Sequence, residues 1–292
     1  MAGLRTAVLF ILPALWLAAS HAGDPGSPKF DAEISRQESI YHSKDEKVVE
    51  GYTVDRSLAV YTQGLATGFD RALASLGPTD RWLDIGAGRG QAILDYYTPE
   101  YDLTYPEGRV RRGKKAHAVA ISIEDRRTLE WHKAAASLGE KQLQYLINRR
   151  LREYSREELG RFQIITDVIG GFSYTDDLSL FVEKVLSFLE LNRGFYTVLQ
   201  DVHWEDGTNR PHYTGAPFLT RITNADGSDL KVCTWLKRIA CAEVICEAKA
   251  HWQPPVEAYQ IRKTCNDVAV PALERVHYEA GTPTERRFRL KN

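Results

Sequence analysis

Asp84, Gly86, Gly88 and Gly90 fall within the run RWLDIGAGRGQAILDYY, residues 81 to 97, and their types suit the binding of a polar or anionic ligand. Glycine carries no Cβ, so a ligand can approach the backbone, and the free N–H groups opening a helix favour negative or polar groups. The apolar residues Trp82, Leu83 and Ile85 precede the glycines, and the spacing turns helical from Gln91. This reads as a strand, a glycine turn and a helix. The spacing is G-x-G-x-G, where a dinucleotide site would want G-x-G-x-x-G. Such a turn can also close an α/β unit without any ligand.

Other chemistry is sparser. His203, Trp204 and Glu205 stand just past an apolar run at 195–199, where a general base could reach a substrate, although a loop histidine can equally be structural. His212, His251 and His277 are scattered without metal-ligand spacing, and no H-E-x-x-H, G-x-S-x-G or P-loop occurs, so no metal site is expected. Arg109, Arg111, Arg112, Lys114 and Lys115 form a basic stretch in a Pro, Tyr and Gly-rich insert, read as a solvated charge run rather than a substrate clamp.

A chain of 292 residues that is 43% hydrophobic can bury a substantial core, and one domain over 43–292 is expected. Residues 1–22 have the form of a secretory signal: Arg5, an apolar run from Ala7 to Ala19, then small residues at Ser20 and Ala22. That run is short and broken by Pro13, so no stable membrane span is expected once it is removed. Residues 23–42 follow as a flexible segment that opens with a proline and glycine tether. Lys and Arg number 38 against 39 Asp and Glu, a balance that draws the protein toward neither nucleic acid nor an anionic membrane. Cys233, Cys241, Cys246 and Cys265 are even in number and, with the export signal, point to an oxidising compartment, periplasmic or extracellular. Three connectivities are open. Cys241 with Cys265 is favoured, because two runs flanking Pro254 form an antiparallel pair in which these two stand nearly equidistant from the centre, leaving Cys233 to Cys246.

The elements that would hold the glycine turn follow from periodicity. Leu58, Tyr61, Leu65, Phe69 and Leu73 predict one amphipathic helix from Asp55 to Gly77-Pro78. His117–Ile123, Gln142–Asn148, Phe162–Val168 and Phe195–Leu199 read as further strands, alternating with helices over Arg126–Ala136, Arg156–Gly160 and Asp176–Leu191. Alternation at this interval implies right-handed crossovers and a doubly wound, mostly parallel sheet, with ligands outside the carboxyl ends of its strands. Past residue 200 the reading is loop, a helix over Asp229–Arg238, then the runs Ala242–Ala248 and Val256–Lys263 as the antiparallel pair.

Residues 50 to 200 resemble the class I S-adenosylmethionine-dependent methyltransferases over nearly the whole sheet. The marks are WLDIGAGRG, an acidic residue near the tip of the second strand, and FQIITDVIGGFSYTDDLSLFVEKVLSFLELNRGFYTVL. The resemblance implies a seven-stranded Rossmann-like sheet closed by the C-terminal antiparallel pair, and S-adenosylmethionine as cofactor. It implies that Asp84, Gly86, Ala87, Gly88 and Gly90 cradle the methionine part and that Asp167 lies beside the transferable methyl. Aligning AVAIS with the family's G-V-D-I-S puts Ala120 where a ribose-binding acid belongs, so Glu124 takes that role if the strand runs longer. Tyr52, Tyr61, Phe172, Tyr174 and Trp204 would face a small-molecule acceptor, and His203 or Asp167 would be the catalytic candidate. An exported binding or structural protein on the same fold is the alternative.

Overall fold

The computed structural model describes residues 56–98, 115–200, 218–250, 256–279 and 284–292. The signal and tether, Tyr52, the basic residues 109–114 and the His203, Trp204 and Glu205 triplet lie outside the described residues. No described helix is long and apolar enough to cross a membrane.

The predicted first strand forms as β1, Arg81–Ile85. It lies between β2, His117–Ile121, and β4, Phe162–Val168, both parallel to it. β3, Leu143–Leu146, continues beyond β2, while β5, Leu189–Gln200, extends the sheet past β4. The predicted antiparallel pair is β8, Ala242–Lys249, and β9, Val256–Lys263, and β9 runs antiparallel to β5. The full order is β3-β2-β1-β4-β5-β9-β8, seven strands of which the first five are parallel. Buried on both faces, β1, β2 and β4 need the near-continuous apolar runs from which they were read.

Helices differ from expectation in several places. The single helix predicted from Asp55 is two: α1, Leu58–Gly64, and α2, Phe69–Ala74. Between them Gly68 turns left-handed at φ 97°, and the Thr67 amide and hydroxyl donate to Glu247 of β8, so the break fastens this face to the sheet edge. α3, Gln91–Tyr96, α4, Leu129–Leu138, α5, Arg156–Leu159, and the one-turn α6, Gly171–Tyr174, follow in chain order. α7, Leu178–Phe188, ends before the Asn192-Arg193-Gly194 turn where a stop was expected, and β5 begins directly at Leu189. Buried Lys263 supplies the reason: its Nζ donates to the carbonyls of Leu186 and Leu189, so the helix end needs no glycine cap.

A second sheet was not foreseen. β6, Phe218–Thr223, β7, Asp229–Leu230, β10, Leu273–Glu279, and β11, Thr284–Leu290, assemble in the order β10-β11-β6-β7. The helix expected over Asp229–Arg238 is reduced to α8, Val232–Leu236, because its first residues pair in β7. One apolar cluster joins Leu83, Ile165, Phe172, Val182 and Phe195 around the main sheet to Ile222, Trp235 and Phe288, so the second sheet packs on the same core. On the opposite face Trp82, Ala118, Ile164 and Tyr196 pack against Leu58, Tyr61, Phe69, Ile93 and Trp131 of the first helices. Both expected disulfides form, Cys233 with Cys246 and Cys241 with Cys265, which fits an oxidising compartment.

Candidate functional site

The sheet order reverses between β1 and β4, because the chain builds outward from β1 through β2 and β3, then returns to lay β4 and β5 on the other side. Loops at the carboxyl ends of those two strands therefore part, and that crevice is where ligands bind open α/β sheets. Both loops are glycine turns. Gly86, Gly88 and Gly90 have φ of 69°, 56° and 77°, conformations that only glycine adopts without strain. The amides of Gly86 and Ala87 both donate to the Ile121 carbonyl at the end of β2, at 2.9 and 3.2 Å. Tyr145 of β3 reaches across to donate to the Gly88 carbonyl. The Gly88 amide has no acceptor among the described residues.

Close approach adds a second requirement. A Cβ on Gly86 would lie 2.8 Å from the Cα of Gly170 in the β4 loop, and one on Gly170 would lie 2.6 Å from the Ile85 carbonyl oxygen. A Cβ on Gly90 would enter the ring of Trp131, which is buried. The two loops thus touch where only glycines fit, and the half-buried Ala87 and Gly88 remain at the surface of the turn.

Two carboxylates lie fully buried beneath the turn. Asp84 is in register with Thr166 and Asp167 with Ile85, so the two acids point to opposite faces of the sheet. Tyr61 of α1 places its hydroxyl 3.0 Å from each oxygen of Asp84, and the Thr166 hydroxyl donates at 2.7 Å. Trp82 Nε1 in turn donates to Thr166 Oγ1 at 2.8 Å. Burial pushes Asp84 up to about 7, against the downward pull of the Thr166 and Tyr61 bonds. Burial and the Asp84 charge hold the Tyr61 hydroxyl well above its ordinary range, so it donates. Asp167 accepts from the amides of Gly170 and Phe172 at 2.8 and 2.9 Å and is also pushed by burial to about 7. The charge of Arg56 favours the ionised form of both acids. Arg56 was missed, since a lone arginine ahead of a helix cap carries no spacing signal.

The remaining expected residues divide. Backbone pairing of β2 with β3 continues past Ile121 through Ser122 to Leu146 and Asn148 to Ile123, so Glu124 stands at the extreme tip, exposed and paired with Arg126. Ala120 lies lower, fully buried and in register with Asp84 and Tyr145, so an acid serving the loop would have to come from beyond Ile121. Tyr61 is spent on Asp84 rather than offered to an acceptor. Phe172, expected to face the acceptor, is fully buried instead, packed on Phe181, Phe195 and Tyr259 at ring distances of 6.4, 6.3 and 5.9 Å. Tyr174 is half-buried, its carbonyl accepting from the Tyr278 hydroxyl. Cys233, Cys246 and Glu257 come within 4.8 Å of one another, but the two sulfurs are joined as a disulfide and offer no thiolate to a metal.

Strand order and direction are those of the class I methyltransferase fold, as the sequence resemblance implied. Among solved structures, the chain is similar to the rRNA methylase from Streptococcus thermophilus, at 12% identity over 73% of this chain and 99% of that one, with a TM-score of 0.42. It is similar to the N-methyltransferase NodS from Bradyrhizobium japonicum in complex with S-adenosyl-L-homocysteine, at 10% identity over 79% and 98%, with a TM-score of 0.40. An RNA methyltransferase from Salinibacter ruber, also in complex with S-adenosyl-L-homocysteine, matches at 14% identity over 68% and 90%, with a TM-score of 0.34. No protein-family model matches the sequence, and no curated protein does.

Proposed function

We propose that this protein binds S-adenosylmethionine on the turn from Gly86 to Gly90 and transfers its methyl group to a small-molecule acceptor. The observation that carries the reading is the left-handed glycine turn at the point where the sheet order reverses, with its backbone fixed by Ile121 and Tyr145. The residues suit that cofactor: three glycines that leave the turn's backbone open to the methionine part, a Gly88 amide with no acceptor among the described residues, and Glu124 at the β2 tip to accept from ribose hydroxyls. S-adenosylmethionine would supply an electrophilic methyl on a sulfonium, whose leaving group is a neutral thioether that needs no protonation.

The chain's own work is then positioning. Asp84 holds α1 over the turn through Tyr61, and Asp167 holds the β4 loop through two amides. Asp167, each oxygen accepting from one loop amide, shapes the loop beside the methyl, and His203 or Asp167 would remove a proton from the acceptor. The near balance of acidic and basic residues favours a small acceptor over nucleic acid. The two disulfides support an oxidising, exported setting, while cleavage near Gly23 and one domain over 43–292 follow from the form of residues 1–22 and the pattern of the sequence. N-terminal sequencing of exported protein that finds Met1 intact refutes the cleavage.

Calorimetry on the full-length protein tests the binding. Wild type is expected to bind S-adenosylmethionine and its demethylated product, Asp84→Asn to bind more weakly, and Gly88→Val not at all, with folding checked by circular dichroism. Folded wild type that gives no heat with either compound reduces the glycine turn to a structural turn.

A further inference from the structure

Arg286 lies on β11 in the second sheet, yet none of it is exposed. Its Nη1 donates to the carbonyls of Phe172 and Thr175, both at 2.9 Å, and its Nε and Nη2 donate to the Thr220 hydroxyl at 3.2 and 2.6 Å. No described carboxylate forms an ion pair with it. A fully buried guanidinium is costly unless its donors are satisfied; these bonds satisfy them, and the nearby Asp167 charge also favours the ionised form.

The two carbonyls belong to the end of α6, the single helical turn that follows β4. The start of that turn is held by Asp167, through the amides of Gly170 and Phe172. A carboxylate at the amino end and a guanidinium at the carboxyl end match the direction of the peptide dipoles between them. Phe172 is bonded at both its amide and its carbonyl, so the two buried charges are linked through one peptide residue. The same segment includes Gly170, whose Cα bounds the space beside Gly86. Loosening α6 would let Gly170 drift and remove the wall against which the glycine turn is set.

We propose that Arg286 is a positioning residue that locks the β4 loop from the second sheet and so keeps the turn from Gly86 to Gly90 in its binding shape. The second sheet is on this view a brace for the site. The proposal rests on the reading of that turn as the S-adenosylmethionine site.

The test compares wild type, Arg286→Met and Arg286→Lys as full-length, disulfide-intact proteins. Hydrogen exchange over residues 169–176 reads the clamp, exchange over β8 and β9 reports whether the rest stays folded, and calorimetry with S-adenosylmethionine reads the site. For Arg286→Met, losing charged donors to two carbonyls is expected to speed exchange at Gly170 and Phe172 and to weaken binding by about tenfold or more, with β8 and β9 unchanged. Arg286→Lys retains the charge without the planar fork, so it should fall between the two. If the methionine variant does not fold, an intermediate affinity in a folded lysine variant still supports the clamp. Unchanged exchange at Gly170 and Phe172, or unchanged affinity in a folded variant, overturns the proposal while leaving the binding reading intact. Wild type that binds no cofactor removes both.

Discussion

Alanine placed in turn at Gly68, Gly86 and Gly90 separates the cost of backbone conformation from the cost of close approach. All three have positive φ, 97°, 69° and 77°, so each substitution carries a left-handed penalty of roughly 1–2 kcal/mol. At Gly68 nothing lies within 4 Å of the added methyl, and that penalty is the whole effect. At Gly90 the methyl meets Trp131, which is 2% exposed and stacked edge-on against Tyr145 at 5.0 Å, so the ring has nowhere to go and overpacking adds about 1–3 kcal/mol. At Gly86 the obstacle is the Gly170 Cα at 2.8 Å, and backbone cannot change rotamer. Relief there means moving either the β1 loop, which donates to Ile121, or the β4 loop, which donates to Asp167, at about 1 kcal/mol for each hydrogen bond strained, on top of the clash. Urea unfolding of the oxidised protein by linear extrapolation, with the slope checked for constancy, gives the three values. The expected order is Gly68→Ala mildest, Gly90→Ala next and Gly86→Ala worst, with S-adenosylmethionine binding lost in the last two and kept in the first. Equal losses at Gly68 and Gly86 would show that the contact with Gly170 does not exist in solution.

The buried acids make stability depend on pH in a set direction. Burial raises Asp84 and Asp167 from 3.8 to about 7, so the folded state holds protons that the unfolded chain releases. Stability is therefore expected to fall as pH rises from about 4 to about 7 and to level off above, by up to roughly 4 kcal/mol per carboxyl; Asp84→Asn should flatten about half of that slope in urea titrations across the window, and an unchanged slope would place the titration elsewhere. Tyr61→Phe removes a donor from a buried carboxylate and should cost about 1–3 kcal/mol, more at pH 8, where Asp84 is ionised, than at pH 5; equal losses at both pH values would count against the bond. Cys233 and Cys246 are 13 residues apart and Cys241 and Cys265 are 24 apart, so removing either bridge should lower stability by about 3 kcal/mol. Thiol titration of unreduced, denatured protein should find no free thiol, and four reactive thiols would refute both bridges.

The sequence showed most of the main sheet because its central strands are buried on both faces and must be apolar along their whole length. Phe162–Val168 emerged with its bounds intact for that reason. The long helix over Asp55–Gly77 could not be read correctly, since its apolar spacing stays in phase across Leu65–Gly68 while the break depends on Glu247, 180 residues away. The end of α7 was hidden in the same way, its capping ammonium arriving from Lys263, 77 residues from Leu186. In the second sheet the two-residue period is obscured by what faces inward. In TERRFRL the buried positions among those described are Arg286 and Phe288, and a strand reading that expects apolar residues inside discards such a segment.

The site divides along the same line. Glycine's role in a turn is local: the spacing of Gly86, Gly88 and Gly90 contains the requirement for positive φ, and the three angles follow. What an acid does is set by its surroundings. Asp84 and Asp167 were legible as acids at strand ends, but the Tyr61 hydroxyl on one and the α6 amides on the other come from the fold. Both carboxylates are thereby tied to groups that shape the turn's two walls, α1 over one face and the β4 loop over the other. Protonating either acid near pH 7 would weaken the charge-assisted bonds to its wall while easing its burial, so the walls should slacken as the fold gains stability. If the glycine turn is the binding site, its affinity for ligand should therefore decline on acidification through the interval in which overall stability improves.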